Sequence, residues 1–258
     1  MFEVTHRKKM GIRLKDVYYA KRIRENDPDY DAVYYFFCQE SAGNGKRYLT
    51  TVVDLSMDED ELIASFRYSE RRDIKRIIND INLEIETIIE PDDQQINNFI
   101  LLYNQFTRMK GFSGPDEHRI LTLNRAGRVA LLNARYQDEL VLQRIFVVDD
   151  EKVVIFNGYN TRLEESDSEK LKLLASISKM VDYHSMLYWK KRNKKYYDMG
   201  GLFMDPTNPS GEKIDHYKRG FRGDVFKEYE FIYPLTWKGT VFCWLKRQLK
   251  LIKRKTHM

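Results

Sequence analysis

One strand-like segment ends in residue types that could take part in proton transfer. Residues Tyr196 to Gly201 have the pattern of a short strand, and Asp198 comes just before Gly200 and Gly201. Glycines let a backbone approach a ligand closely because they carry no side chain. A carboxylate there could accept a proton from an amine or orient an ammonium, but it could equally cap the glycine turn. Asp198 is therefore a candidate catalytic residue with a structural alternative.

Basic side chains on another predicted element could bind phosphate. Arg71, Arg72 and Lys75 share one predicted helix and could hold a diphosphate through charge-assisted hydrogen bonds. A solvated charged face would have the same sequence. His184 lies on the apolar stripe of a later helix, where it is either a base or a hydrogen-bonded histidine of the core.

These residues must be positioned by an ordered series of strands and helices. From residue 84 the hydrophobic periodicity predicts the order β-α-α-β-β-β-α-β-α-β. Strands are expected at 84–89, 129–136, 140–148, 153–159, 196–201 and 229–233. Helices are expected at 91–111, 115–125, 168–191 and 214–219. Short polar links join the three consecutive strands, which predicts an antiparallel meander.

The N-terminal part is predicted to form a smaller subdomain. The β-type runs 32–38 and 48–54 flank a glycine-containing link and are expected to form a hairpin, followed by a helix from 56 to about 82. We therefore expect three segments: a subdomain at 1–82, a main domain at 83–235 and a C-terminal helix at 236–258. The fold class is α/β, of the α+β kind, with a central, mostly antiparallel sheet flanked by helices. The element order resembles that of an N-acetyltransferase-type (GNAT) fold, with a partial GNAT-like unit in the N-terminal subdomain.

Two neighbouring motifs resemble those of the FemAB and GNAT-like acyltransferases. The first is Tyr197-Asp198-Met199-Gly200-Gly201, and the second is Ile214-Asp215-His216-Tyr217-Lys218-Arg219-Gly220-Phe221-Arg222-Gly223. They are similar to a strand ending in Tyr-Asp-x-Gly-Gly and a helix carrying Phe-Lys-x-x-Phe-Gly-Gly. Arg222 departs from the glycine usual at its position. Weaker similarity lies in Arg71–Lys75, Tyr103–Phe106 and His184–Trp189.

The resemblance implies transfer of an acyl group to an amine. Lys218 occupies the place of the family's motif lysine, where a cation could polarise the donor carbonyl or bind phosphate; a solvated lysine is the alternative. The motif also implies that Tyr197, Tyr217, Phe221 and Arg222 bind substrate, whereas aromatics at this spacing are often simply core. No serine or cysteine nucleophile motif is present, so direct attack without a covalent enzyme intermediate is expected.

The donor is the open question that the resemblance raises. Some family members use aminoacyl-tRNA to extend peptidoglycan stem peptides, and others use acyl-coenzyme A, including on amino sugars. Because the tRNA-using members are usually longer, the expected function is N-acylation of a nucleotide-linked amino sugar by acyl-coenzyme A, in bacterial surface-polysaccharide synthesis. The loop Tyr159–Glu165 lacks the glycines that cradle a pyrophosphate in GNAT proteins, which counts against this donor. The alternatives are an aminoacyl-tRNA-dependent transferase acting on a peptidoglycan precursor and a non-catalytic membrane-associated assembly protein.

The charge of the chain belongs to its C-terminal end. The 258 residues carry a formal net charge of +5, yet seven basic and no acidic residues follow Glu230, so removing those seven leaves −2. This pattern does not suit a dedicated DNA-binding protein. At 100° steps, Val241, Phe242, Leu245 and further apolar residues share one side of the tail. A basic amphipathic helix at 238–258 could contact an anionic membrane or pack on the protein body.

The remaining expectations concern compartment and assembly. The two cysteines, Cys38 and Cys243, are far apart and fit no metal spacing, so no metal cofactor is expected and a reducing cytoplasm is the simplest location. Peripheral contact with the inner face of the membrane would come through the tail. The oligomeric state is left open, a homodimer included.

Overall fold

The chain forms two compact units. The computed structural model describes residues 1–9, 11–23, 26–42, 45–80, 82–161, 165–203 and 209–255. Contacts group residues 1–49 with 227–258 into a smaller unit, and residues 50–226 into a larger one. These boundaries differ from the predicted segments 1–82, 83–235 and 236–258, because the C-terminal strand and helix return to the N-terminal strands. No helix in the described ranges is long and apolar enough to cross a bilayer.

The described residues contain ten strands and seven helices. The strands are β1 (Phe2–Lys9), β2 (Ile12–Tyr18), β3 (Ala32–Cys38), β4 (Lys46–Asp54), β5 (Leu83–Ile89), β6 (Val129–Tyr136), β7 (Glu139–Val148), β8 (Lys152–Asn160), β9 (Tyr196–Gly201) and β10 (Asp224–Pro234). The helices are α1 (Glu59–Ser65), α2 (Tyr68–Ile77), α3 (Asp93–Lys110), α4 (Glu117–Arg125), α5 (Ser168–Lys190), α6 (Pro209–Arg219) and α7 (Trp237–Lys255).

The smaller unit is a sheet in which distant segments pair. β1 and β2 are antiparallel, β2 and β3 are parallel, and β3 is antiparallel to β10. The expected hairpin of 32–38 with 48–54 is therefore wrong: β3 pairs with β2 and β10, while residues of β4 pair with β9. A glycine-containing link permits a hairpin, but side-chain packing across the sheet selects the partner. Basic residues occur in both β1 and β2, and neither strand is among the elements expected from the sequence.

The larger unit has the predicted order of elements. Its strands lie in the order β4-β9-β8-β7-β6-β5. β5 to β8 form a continuous antiparallel series, which confirms the meander, and β8 pairs with β9 in parallel. All ten elements expected from residue 84 onward are present in order, so the GNAT-like α+β fold class is confirmed.

Local sequence signals explain the helix ends of the larger unit. Asp92 and Gln95 form a reciprocal capping box at the start of α3, and Gly111 ends it with a left-handed backbone at φ +67°. The single helix expected from 56 to 82 is instead α1 and α2. Phe66 has an extended backbone between them and is buried in the core, so packing of its ring interrupts the helix.

Candidate active site

The candidate site lies where two parallel strands of the larger unit separate. The ladder of β8 with β9 comprises three residue pairs and ends at Val154 and Asp198. Gly200 then follows with a left-handed backbone at φ +79°, and a side chain there would come within 2.7 Å of Ile155 O. The glycine is thus required both by its conformation and by this close approach. Diverging strands leave backbone groups that a ligand can use.

Asp198 is a buried carboxylate whose oxygens are held by the protein. Its Oδ1 accepts hydrogen bonds from Thr50 Oγ1 and, at 2.8 Å, from the backbone N–H of Gly200. Lys152 Nζ lies 2.6 Å from Oδ2. The hydrogen bond from the Gly200 N–H is the turn-capping contact that the sequence offered as the alternative to a catalytic role for Asp198. Oδ1 thus accepts two hydrogen bonds, whereas the buried Oδ2 accepts none among the described residues and has the Lys152 ammonium as its ionic partner. The role of Asp198 as a proton acceptor stays a prediction.

Lys218 brings a cation to the same place. It lies in the last turn of α6, and its Nζ donates to Gly201 O over 2.6 Å. The same Nζ would be 3.6 Å from a side chain at Gly200. Burial lowers the pKa of Lys218 to about 8, while the negative charges of Asp198 and Asp215 act in the opposite direction. Part of the side chain remains accessible, and among the described residues Gly201 O is its one hydrogen-bond acceptor, so further N–H donors are free for a ligand carbonyl or phosphate.

A buried ion pair connects the helix of Lys218 to the sheet. Asp182 of α5 is paired with Arg144 of β7 and accepts hydrogen bonds from the hydroxyls of Tyr217 and, at 3.3 Å, Tyr197. Burial raises the pKa of Tyr197 to about 12 and also raises that of Tyr217, so both remain proton donors. Since Tyr217 precedes Lys218 directly, this network determines where α6 presents its lysine.

The two motif tyrosines therefore face this network. Tyr197 and Asp198 are consecutive in β9, and neighbouring strand residues point to opposite faces of a sheet. Tyr197 belongs to the buried cluster that includes Phe146 and Trp189. The structure places Tyr197 and Tyr217 as supports of the lysine, and direct contact of either with substrate stays a prediction.

His184 is not brought to the site. It is two positions from Asp182 on α5, about 200° around the helix, so it faces away from the Arg144 pair. Its Nδ1 is buried and has no hydrogen-bond partner among the described residues. Burial, together with the charge of Lys191, lowers the pKa of His184. A catalytic role for this histidine stays a prediction that no contact with Asp198 or Lys218 supports.

The three basic residues of α2 have separate surroundings. Arg71 donates to the carbonyls of Ala64 and Phe66, at 2.6 and 2.9 Å, and so satisfies the end of α1. Arg72 is exposed and paired with the adjacent Asp73, and Lys75 is exposed. The diphosphate site expected from these three residues stays a prediction, and Lys75 has the least engaged side chain of the three.

The last two motif residues differ sharply in exposure. Phe221 is fully buried, with its ring edge-on to Phe66 at 5.1 Å and to Tyr217 at 5.5 Å between centroids. It therefore acts as a core residue beneath α6. Arg222 is exposed and has a left-handed backbone at φ +57°. A glycine, the usual residue of the resembling motif at this position, would adopt that backbone without strain.

The start of α5 is occupied by the chain's own carboxylates. Asp167 accepts from the N–H groups of Glu169 and Lys170, and Glu165 accepts from those of Ser166 and Asp167. These N–H groups lower the pKa of both carboxyls. The loop predicted to lack a pyrophosphate cradle includes residues 162–164, which lie outside the described residues. Its described end presents negative charge where a GNAT protein would bind phosphate.

Four contributors to the site were missed in the sequence: Thr50, Arg144, Lys152 and Asp182. Arg144 interrupts an apolar strand and Asp182 an apolar helix stripe, and a charge within each of two buried runs is a signal of a buried pair. Lys152 and Thr50 carry no comparable signal. In the described ranges, no group of three or more His, Cys, Asp or Glu side chains is arranged to hold a metal.

Comparison with solved structures places this arrangement in a known fold. FemX superposes with a TM-score of 0.62 at 11% identity, over 88% of this chain and 82% of the FemX chain. The C-terminal domain of a putative lysylphosphatidylglycerol synthetase from Agrobacterium fabrum gives 0.51 at 8% identity, over 92% and 82%. Comparisons with protein-family models and with curated proteins gave no match. Identities this low define the fold alone, so the chain has a GNAT-like α+β fold in which Asp198 and Lys218 lie near the separation of β8 and β9.

Proposed function

We propose that the protein transfers an aminoacyl group from aminoacyl-tRNA to an amine of a peptidoglycan precursor. The observation that carries this choice of donor is the start of α5, where, in the part that the structure describes, the carboxylates of Glu165 and Asp167 already accept hydrogen bonds from the backbone N–H groups that a pyrophosphate would use. The likeness to FemX and to a domain of a putative lysylphosphatidylglycerol synthetase supports aminoacyl transfer over acylation of a sugar.

The site residues suit attack of an amine on an ester. The acceptor nitrogen forms a bond to the ester carbonyl carbon, the carbonyl oxygen becomes negative, and the tRNA hydroxyl leaves as the amide forms. The Lys218 ammonium, with N–H donors beyond the one given to Gly201 O, would stabilise that negative oxygen. Asp198 and Lys152 would hold the glycine turn in place. The proton lost by the amine would pass to water or to the leaving hydroxyl.

N-acylation of a nucleotide-linked amino sugar by acyl-coenzyme A is the second candidate. The arrangement of Lys218 would serve a thioester equally well, since the developing charge is the same. Chain length, which first favoured this reading, does not separate the two, because the chain covers 82% of FemX. The acidic start of α5 counts against it.

Transfer assays distinguish these candidates. Labelled amino acid should pass from a charged tRNA pool to nucleotide- or lipid-linked peptidoglycan precursors, and ribonuclease should abolish the transfer. Thiol release from acyl-coenzyme A with amino-sugar nucleotides, in the absence of tRNA-dependent labelling, would instead establish the second candidate. Absence of both activities would leave a non-catalytic role.

Replacing the lysine tests the site itself. Lys218→Met should lower turnover at least tenfold, equivalent to about 1.4 kcal/mol of transition-state stabilisation. Lys213→Met is the matched control, because Lys213 is an exposed lysine of the same helix. Equal turnover in the two variants would remove Lys218 from the mechanism.

A further inference from the structure

One face of α7 is fixed against the smaller unit. Gly239 is buried so closely that a side chain there would lie 1.8 Å from Asp31 O. Phe242 is 6% exposed and packs with Leu14 and Ala32. The start of the helix is held by Thr236, whose hydroxyl donates to Asp31 over 2.9 Å and accepts from the N–H of Gly239. The rotation of α7 about its axis is therefore determined.

This rotation turns the bulkiest apolar residues to solvent. Trp237, Val241, Trp244 and Leu245 are 73%, 49%, 58% and 42% exposed. Their spacing of four, seven and eight residues places them on one side of a helix. We call these four residues the α7 stripe. The amphipathic pattern of the tail thus does not serve packing on the body: Phe242, expected beside Val241 and Leu245, lies on the buried side, and the stripe faces outward.

The charges that α7 itself carries have one sign. No acidic residue follows Glu230, and seven basic residues do. Lys238 and Arg247 are exposed on the two flanks of the stripe. Lys246 lies over the ring of Tyr34 at 4.8 Å and donates to its hydroxyl, so it is held on the packed side. A large apolar patch edged by cations is a binding surface rather than an ordinary solvated face.

We propose that the α7 stripe docks the protein onto an anionic lipid bilayer. Tryptophan favours the headgroup region, where its ring is apolar and its N–H can hydrogen-bond. Basic residues beside the inserted face gain from the negative surface potential of such a membrane. A second copy of the chain is a poorer occupant, because two α7 helices would bring like charges together.

Vesicle binding by the full chain tests the proposal. The protein should cosediment with vesicles of phosphatidylcholine and phosphatidylglycerol, bind weakly to phosphatidylcholine alone, and be released by salt. Brominated lipid should quench its tryptophan emission. Two of the three tryptophans are in the stripe, and Trp189 is buried in the larger unit and should stay unquenched.

Paired variants assign the binding to the stripe. The double variant Val241→Ser and Trp244→Ser should weaken vesicle partitioning roughly tenfold or more, whereas Thr240→Ser, exposed beside the stripe, should not. Arg247→Glu should lower binding more than Lys213→Glu, which changes the net charge equally on another helix. Failure of the full chain to bind phosphatidylglycerol vesicles would overturn the proposal. Equal binding to neutral vesicles, or a self-association that the double variant abolishes without vesicle binding, would overturn it as well.

Discussion

At the scale of single residues, the balance of charge around Lys218 is the feature most open to measurement. Its pKa of about 8 is lower than the ordinary 10.5 because of burial, and the carboxylates of Asp198 and Asp215 limit the decrease. A lysine of this kind changes charge within the working range of an enzyme. The free amine acceptor gains reactivity with rising pH, while the cation is lost, so the two effects oppose each other.

Because the Lys218 ammonium is assigned to stabilising the negative oxygen, we expect its loss to outweigh the gain in free amine, so that turnover declines as the pH rises through about 8, the pKa of Lys218. Asp198→Asn and Asp215→Asn each remove a charge that raises this pKa, so both should move the decline to lower pH. Rate–pH profiles with saturating donor measure the effect. A decline at the wild-type position in both variants would contradict the assignment.

Linkage provides an independent check on the same group. The pKa of Lys218 is about 8 in the folded chain and 10.5 in the unfolded chain. At a pH between these two values, the unfolded chain therefore binds a proton at this lysine that the folded chain has lost. The free energy of unfolding should rise with pH across this window, and less so in Lys218→Met. Asp198→Asn should also lower stability by about 3 kcal/mol, since it removes the carboxylate charge 2.6 Å from the nearly buried ammonium of Lys152.

At the scale of elements, two turns constrain the backbone near the site: one follows Asp198 in β9, and the other follows α6. Gly200 and Arg222 both have positive φ, but only the glycine adopts this conformation without strain. Sequence similarity alone identifies Arg222 as a departure from a motif. The structure explains what the departure costs: an exposed arginine held in a left-handed turn after α6.

Arg222→Gly should raise the free energy of unfolding by about 1 kcal/mol, because it relieves the left-handed strain. Gly200→Ala should do the opposite, since its new side chain would meet Ile155 O. Chemical denaturation of both variants measures the difference. A destabilised Arg222→Gly protein would show that the side chain contributes a contact that outweighs the strain, and a raised KM in that variant would support its predicted role in binding substrate.

At the scale of the whole molecule, the C-terminal helix has two separable faces: one packed in the smaller unit and the exposed α7 stripe. The sequence leads one to expect that deleting 238–258 changes membrane or partner association more than turnover. The structure alters this expectation, because Phe242 belongs to the core of the smaller unit.

Deletion of 238–258 should destabilise the smaller unit by about 3 kcal/mol, the usual loss for removing a buried phenylalanine. Deletion of 249–258 keeps Gly239, Phe242 and the α7 stripe, so it should destabilise the smaller unit less. Urea unfolding followed by circular dichroism compares the two truncations. Equal stability of both proteins would show that α7 contributes no core.

The sequence by itself determined the series of elements from residue 84, the meander, the helix caps and the two motifs that contain Asp198 and Lys218. Those features depend on local periodicity and on residue types that act within a few positions of themselves. The tertiary structure alone decided that β3 pairs with β2 and β10, that Asp198 is held by Thr50 and Lys152, and that His184 faces away from Asp182. It also decided which side of α7 meets water. These outcomes depend on packing between segments far apart in the chain, which local pattern does not encode.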